Sequence, residues 1–492
     1  MNTSDTVAPR SAEWREELRK SRTARERGNI ARTVMPELAP EIRVTSLTDE
    51  VNCGLSRSQA VMEAARCLDC PDPQCVTGCP VGINIPGFIK NVERENFTQA
   101  LQVLKETSML PAVCGRVCPQ EKQCESRCIY NRMGKSPVAI GYLERYVADN
   151  AEEPSISSRP MPESNGIKVA VAGSGPAGLS FAGDMARKGF AVTVFEALHE
   201  IGGVLKYGIP EFRLPNAVVD REIDSLRKIG VEFRKNIIIG KTLSYEDLLK
   251  DGFKGLFVAS GAGLPRFMGI PGENLVNVMS SNEYLTRVNL MRAGSDGWAT
   301  PVCRGKKVAV IGGGNTAMDS CRTAKRMGAE RVYVVYRRGE TEMPARVEEV
   351  KHAKEEGIEF LTLHNPIEYI GDGQGRVCAM RLQRMCLGEP DASGRRSPVA
   401  IASDVTEVEV DMVIVSVGVS PNPLIPASIS GLEVTSRQTI AVDNDTLRSS
   451  VPDIYAGGDI VRGGATVILA MGDGRRAAAS MADALLGVTE KH

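Results

Sequence analysis

The sequence predicts an α/β chain in which two nested Rossmann-like dinucleotide-binding units follow an α-helical, cysteine-rich segment. Three observations carry that expectation. A strand–glycine turn–helix–strand unit runs from Val169 to Glu196, and a second runs from Lys307 to Arg338. Nine of the thirteen cysteines crowd between Cys53 and Cys128. The second unit begins about 140 residues after the first, and a repeat of so composite a pattern is improbable as an accident.

Bulk properties bound the rest. A chain of 492 residues exceeds one core and suggests about three domains. A net charge of −1 gives no reason to expect nucleic acid or a membrane surface as partner, and no apolar run is long enough to span a bilayer. Met1-Asn2-Thr3-Ser4-Asp5 lacks the basic-then-apolar order of a secretion signal, so a soluble cytoplasmic protein is expected. In a reducing compartment, clustered cysteines point to metal rather than to disulfides.

Taken in order, Ser11 to Asn29 is rich in Arg and Glu and reads as one exposed, solvated helix, with a partner-docking arm as the alternative. Met35-Pro36-Glu37-Leu38-Ala39-Pro40 is a linker, and residues 56–66 look helical. Two cysteine groups follow, Cys67-x2-Cys70-x4-Cys75-x3-Cys79-Pro80 and Cys114-x3-Cys118-Pro119 with Cys124-x3-Cys128. Thiolates this close, in turns with Pro after Cys, suit iron–sulfur clusters. Structural zinc is the alternative; unequal spacings and the need for an electron carrier beside a flavin weigh against it. Residues 150–166 form a second linker.

In the first unit, Gly173 permits the tight turn, Gly175 admits a pyrophosphate, and Gly178 lets helix and strand pack. Pro176 and Ala177 open the helix, whose free N–H groups face the same phosphates. Glu196 stands where a ribose-binding acid is expected, and Gly202-Gly203 extends the pattern toward that of FAD-dependent reductases. FAD is therefore the expected ligand. The second unit offers Gly312, Gly314, Asn315 and Thr316 at its turn. Its second strand ends in Arg337 and Arg338 instead of an acid, which favours the 2′-phosphate of NADPH; an exposed loop pair is the alternative. Leu256–Gly263 and Val413–Gly418 are apolar strands running into small residues, and no redox cysteine pair follows the first unit. Residues 365–410 read as short strands and turns with a polar insertion from Gly388 to Pro398.

Cys67 to Glu144, with Pro111-Ala112-Val113-Cys114-Gly115-Arg116-Val117-Cys118-Pro119-Gln120, resembles the iron–sulfur domain of the NADPH-dependent glutamate synthase small (beta) subunit family. That domain is shared by the large subunit of NADH-dependent ferredoxin:NADP oxidoreductase and the front of dihydropyrimidine dehydrogenase. The resemblance runs from about residue 30 to near the end of the chain. It implies two [4Fe–4S] clusters with crossed ligation, one on Cys67, Cys70, Cys75 and Cys128, the other on Cys79, Cys118, Cys124 and Glu144. Cys114 and Cys53 match no ligand and read as small buried hydrophobes. The resemblance places Asp459, after Gly458, on the ribityl chain, and Ala465-Thr466 at a helix N-terminus facing the flavin. Glu342-Met343-Pro344-Ala345-Arg346 also matches the family, with no role assigned.

The implied architecture is glutathione-reductase-like, with a helical iron–sulfur domain at 1–160, FAD-binding parts at 161–298 and 421–492, and the NADPH-binding domain at 299–420 between them. NADPH delivers a hydride, flavin accepts two electrons and releases them singly, and clusters carry one at a time. No acid–base constellation is evident, so no side chain is expected to be catalytic. The expected function is an NADPH oxidoreductase passing electrons through FAD and clusters to a redox partner subunit, the glutamate synthase large chain, for glutamate synthesis. The alternatives are the large subunit of an electron-bifurcating enzyme with a ferredoxin-reductase-like partner, and a non-catalytic redox-sensing scaffold.

Overall fold

The computed structural model describes residues 8–152, 163–392 and 394–487. Met1–Asp5 and most of the linker expected at 150–166 lie outside the described residues. The chain opens with α1 (Glu13–Ser21) and α2 (Ala24–Asn29), not one solvated helix. The break has a local cause: Thr23 accepts from Glu26 N while Glu26 accepts from Thr23 N, a capping box that starts a new helix. Nor is the arm merely solvated, since Arg15 and Arg27 are buried. Arg15 pairs with Asp69, and Arg27 lies 2.8 Å from Glu93.

The helical segment continues through α3 (Arg57–Ala65), α4 (Ile85–Glu93), α5 (Phe97–Thr107), α6 (Pro111–Val117) and α7 (Ile140–Asn150). Every residue of α4 and α6 is buried. A Cβ on Gly115 would fall 2.5 Å from Arg145 N, so glycine is what lets α6 pack on α7.

Among the described residues, thirteen strands of three or more residues follow. They are β1 (Lys168–Ala172), β2 (Ala191–Phe195), β3 (Glu232–Arg234), β4 (Phe253–Val258), β5 (Val278–Ser280), β6 (Lys307–Ile311) and β7 (Arg331–Tyr336). Then come β8 (Glu359–Thr362), β9 (His364–Gly371), β10 (Val377–Pro390), β11 (Arg396–Glu409), β12 (Met412–Val415) and β13 (Ile454–Ala456). The first sheet has the order β13-β4-β1-β2-β3 and the second β5-β12-β6-β7-β8, and all their pairings are parallel. Helices cover such sheets on both faces, which is why Val169–Ala172 and Val308–Ile311 are uninterrupted buried runs. The chain leaves the first sheet after β4, builds the whole second sheet, and returns as β13. Val278–Ser280 precedes the expected boundary at residue 299 yet pairs in the second sheet. A short antiparallel bridge, Leu264–Pro265 with Val419–Ser420, ties the two crossings together.

The region expected as short strands with a polar insertion is instead an antiparallel sheet β9-β10-β11. Both β10 and β11 run 14 residues, and pairing persists to Pro390↔Arg396. The polar residues are the far end of this hairpin, which is open to solvent on both faces and so needs no apolar alternation.

The remaining long helices are α8 (Pro176–Ala186), α9 (Asn216–Lys228), α10 (Asn315–Arg326), α11 (Val347–Glu355) and α12 (Val467–Leu486). One continuous core joins the cysteine-rich helices to the first sheet, from Phe88 and Val113 through Val171 and Phe181 to Met471. No helix among the described residues is long and apolar enough to cross a membrane.

Candidate functional site

Two concave sites hold most of the residues singled out in the sequence. The larger, of 1010 Å³, lies where the ends of β1, β2 and β4 meet α12 and the start of α10. Gly173, Gly175, Pro176, Ala177, Glu196, Gly203, Gly458, Asp459, Ala465 and Thr466 all line it. Gly173 has φ +110, and a Cβ there would meet Ala259 O at 2.5 Å. Gly175 faces open space, as a ligand cradle requires. Gly178 does not line the cavity; its missing Cβ would sit 2.1 Å from Gly173 O, so it serves helix–turn packing.

Glu196 is buried and held in place. Its Oε2 accepts from Ser174 N at 3.0 Å and from Ser174 Oγ at 2.5 Å, while Oε1 accepts from Leu198 N at 2.9 Å. Ser174 Oγ also accepts from Gly202 N at 2.9 Å, so one hydroxyl ties the turn, the acid and the second glycine pair together. Ser174 escapes notice in the sequence because a small residue inside a glycine turn carries no signal of its own.

Burial raises the Asp459 carboxyl above its ordinary value, against the lowering effect of the Ala465 N–H. The turn before it is fixed by Asp473, which accepts from Gly458 N at 3.0 Å and is held by Arg462 at 2.6 Å. Asp473 was also missed, though a buried acid inside the apolar helix α12 is a visible anomaly.

From the second unit, Asn315 and Thr316 reach the same cavity. Gly312, at the end of β6, and Gly314, the cap of α10, lie behind them and do not line it. Arg337 and Arg338 diverge. Arg337 is exposed, with no ion-pair or hydrogen-bond partner among the described residues. Arg338 is buried, donates from Nε to Arg396 O at 2.8 Å, and pairs with Asp391 at 2.6 Å. Across the cavity, Arg213 chelates Asp319 at 2.6 and 2.8 Å. Neither had been singled out, because residues over 100 positions apart give no local pattern.

The smaller site, of 510 Å³, is lined by Cys67, Cys70, Cys75 and Cys128. Burial raises the thiols of Cys67, Cys70 and Cys75, to about 11 for Cys67. The turn that carries the first pair is clamped by α1: Asp69 is fully buried, pairs with Arg15 and Arg19, and offers its carbonyl to Arg10.

Cys79, Cys118, Cys124 and Glu144 form a second group. Burial first, with Glu144 and Cys118 adding to it, pushes Cys79 to about 11; Cys124 rises from burial, Glu125, Cys79 and the same neighbours. Burial, then Glu222, pushes the Glu144 carboxyl to about 8, and its Oε1 is buried with no hydrogen-bond partner. A carboxylate oxygen stranded beside three thiols is the environment a metal centre would satisfy. Cys114 is buried, as expected, but Cys53 is exposed; its backbone N–H pairs with Pro36 O and turns the side chain outward.

This second thiol group touches the large cavity. Val117 and Pro119, on either side of Cys118, line the large cavity, and Gln123 Nε2 donates to Thr466 Oγ1 at 3.4 Å. The stretch Glu342–Arg346, left without a role, is the strut between the thiol turns and the second fingerprint. Lys122 donates to Pro344 O and Ala345 O, Arg346 donates to Arg116 O at 2.8 Å, and Asn315 Oδ1 accepts from Arg346 N at 2.9 Å.

Comparison with known proteins matches residues 43–156 to dihydropyrimidine dehydrogenase domain II, 4Fe-4S cluster, and residues 167–474 to pyridine nucleotide-disulphide oxidoreductase. The chain is 36% identical over 450 residues to the glutamate synthase [NADPH] small chain of Azospirillum brasilense, covering 90% of this chain and 93% of that one. It is 37% identical to the Escherichia coli K12 protein of the same name, covering 86% and 91%. The NADP(+)-dependent formate dehydrogenase subunit beta of Moorella thermoacetica is 36% identical, with 83% of this chain and 59% of that one matched. Among solved structures, Mycobacterium tuberculosis FprA in complex with NADPH shares the fold, with a TM-score of 0.54 at 20% identity over 65% of this chain and 85% of that one.

Proposed function

This chain belongs to the glutamate synthase small-chain family, and from that premise we propose how its residues divide the work. It is an FAD- and iron–sulfur-dependent NADPH oxidoreductase. FAD held in the large cavity would supply two-electron acceptance from NADPH and one-electron release, and two [4Fe–4S] clusters held by the thiol groups would supply one-electron carriage.

The chain's own part is holding and screening. Gly173, Gly175, Pro176, Ala177 and Gly203 shape the cradle for the FAD pyrophosphate, with the N–H groups of α8 aimed into it. Glu196, fixed by Ser174, accepts from the ribose; Asp459 faces the ribityl chain; Ala465 and Thr466 set the N-terminus of α12 against the ring. Asn315 and Thr316 receive NADPH where Arg213 and Asp319 border the cavity, and Arg337, unpaired and exposed, reads the 2′-phosphate. Cys67, Cys70, Cys75 and Cys128 hold one cluster; Cys79, Cys118, Cys124 and Glu144 hold the other. The divisions at 160, 298 and 420 follow the same assignment, with β5 moved to the NADPH side.

One observation carries the order of transfer: Cys118 sits between two residues of the flavin cavity wall. A cluster held by the Cys118 group would therefore stand nearer the flavin cavity, and one held by the Cys67 group would stand farther out. Relatives named as small chains and beta subunits work within larger enzymes, so a partner subunit receives the electrons. We assign that partner as a glutamate synthase large chain. Supplying such a chain with this protein, NADPH, glutamine and 2-oxoglutarate should yield glutamate in step with NADPH oxidation. NADPH oxidation without glutamate, restored only by a ferredoxin-reductase-like subunit, would contradict the assignment.

A further inference from the structure

We propose that Glu37, Glu348 and His352 form a binding site for one divalent transition-metal ion, of the zinc or manganese type. The site clips the segment ahead of the cluster-binding region to helix α11. It lies apart from the residues assigned to flavin, nicotinamide and clusters. Glu348 and His352 are four positions apart on nine-residue α11, so both project from one face. Glu37 comes from the opposite wall, on a segment paired with Asn52. One ligand atom from each lies within 4.8 Å of the others.

Three features point to a ligand rather than to a chance meeting of charges. His352 is 1% exposed, yet neither ring nitrogen has a hydrogen-bond partner among the described residues. Its Nε2 stands 3.2 Å from Glu37 Oε1, at ion-pair distance. Two ligands of a tetrahedral zinc, each about 2.1 Å from the ion, stand about 3.4 Å apart, so this separation suits a shared ion.

The outer oxygens of the carboxylates are already tethered, and the inner oxygen of Glu37 also accepts from Lys351 Nζ at 3.2 Å, a contact that a metal ion would displace. Glu37 Oε2 is held by Arg43 at 2.8 Å, and Glu348 Oε2 by Arg346 at 3.1 Å. The inner oxygen of Glu348 has only the long contacts to Asn52 at 3.4 Å and Tyr142 at 3.5 Å. Ligating carboxylates are commonly braced in this way by outer partners.

Charge also permits a cation. Arg43 and Lys351 are shared with Glu355, Lys351 also reaches Glu37, and Arg346 is shared with Glu121. Four carboxylates face three cations beside the His352 imidazole. One histidine and two carboxylates make a borderline donor set, and water completes the coordination.

The test uses anaerobic holoprotein with flavin and clusters in place, so that the cluster thiolates do not compete. After brief chelation and desalting, Mn2+ is titrated while the resonance of the free ion is followed. The expected result is one Mn2+ per chain, displaced by Zn2+, with a higher thermal midpoint in Zn2+. His352→Gln and Glu348→Gln should each weaken binding at least about tenfold and abolish the thermal shift, with flavin and cluster absorbance unchanged as proof of folding. Absence of stoichiometric binding by the unaltered protein, or binding that survives both substitutions as adventitious ion only, would overturn the proposal.

Discussion

In the proposed ligand set, Glu144 is the residue on which the second cluster would turn. Burial pushes its carboxyl to about 8, and one oxygen has no partner, a state costly to maintain unless a metal centre satisfies it. Glu144→Ala should halve the iron and acid-labile sulfide bound per chain while FAD stays bound; an unchanged iron content would remove Glu144 from the ligand set. The two arginines after β7 separate just as cleanly. Loss of a charge-assisted phosphate contact is worth about 1.5–3 kcal/mol, so Arg337→Ser should raise KM for NADPH roughly tenfold or more and leave NADH unaffected. Arg338→Ala should instead lower thermal stability, because it removes the Asp391 ion pair and the bond to Arg396 O that fasten the hairpin to β7. If Arg338→Ala alone shifts the NADPH KM, the assignment is reversed.

Among elements, α1 and the α10–α11 pair act as clamps. Helix α1 places Arg15 and Arg19 on Asp69, inside the turn between Cys67 and Cys70. Arg15→Ala should make the outer cluster bleach faster in air while the inner cluster keeps its signature; equal lability of both would refute this role. On the other side, Arg213, Asp319, Glu349, Arg322 and Glu356 form a buried ion chain joining a loop of the flavin unit to α10 and α11. Burial alone would raise Glu349, yet Arg213 and Arg322 hold its carboxyl down to about 2. A depressed carboxyl contributes stability above its ordinary value of 4.5, and that contribution fades as pH falls from 4.5 toward 2. Glu349→Gln should therefore flatten the acid-side fall in thermal midpoint between those values; an unaltered profile would show that the chain does not carry it.

At the scale of the molecule, what the sequence disclosed and what it hid follow from the range of the forces. Both fingerprints were legible, since a buried parallel strand, a glycine turn and a helix start are written within a dozen adjacent residues, as in Val169–Leu179 and Lys307–Ala317. The cysteine groups were legible by spacing, and the cavity lined by Cys67, Cys70, Cys75 and Cys128 brings one group together across more than fifty positions. Ion pairs between distant segments were not legible. The Arg-rich start read as solvated because Asp69 and Glu93, its partners, lie far downstream. The Arg213–Asp319 contact and the Glu342–Arg346 strut were hidden for the same reason, as was the Arg338–Asp391 pair, because Asp391 sits in the turn between two later strands. These long-range pairs join the thiol turns, the flavin cavity and the second fingerprint into one body.

Anaerobic rapid mixing with NADPH probes that body most directly, with flavin and cluster absorbance followed together in the unaltered protein and in Cys118→Ala. A wiring that enters the clusters at Cys118 predicts flavin bleaching in both, followed by cluster reduction only where Cys118 is present, with the Cys67-group cluster cut off in the variant. Cluster reduction as fast in Cys118→Ala as in the unaltered protein, or cluster reduction without prior bleaching of the flavin, would contradict it.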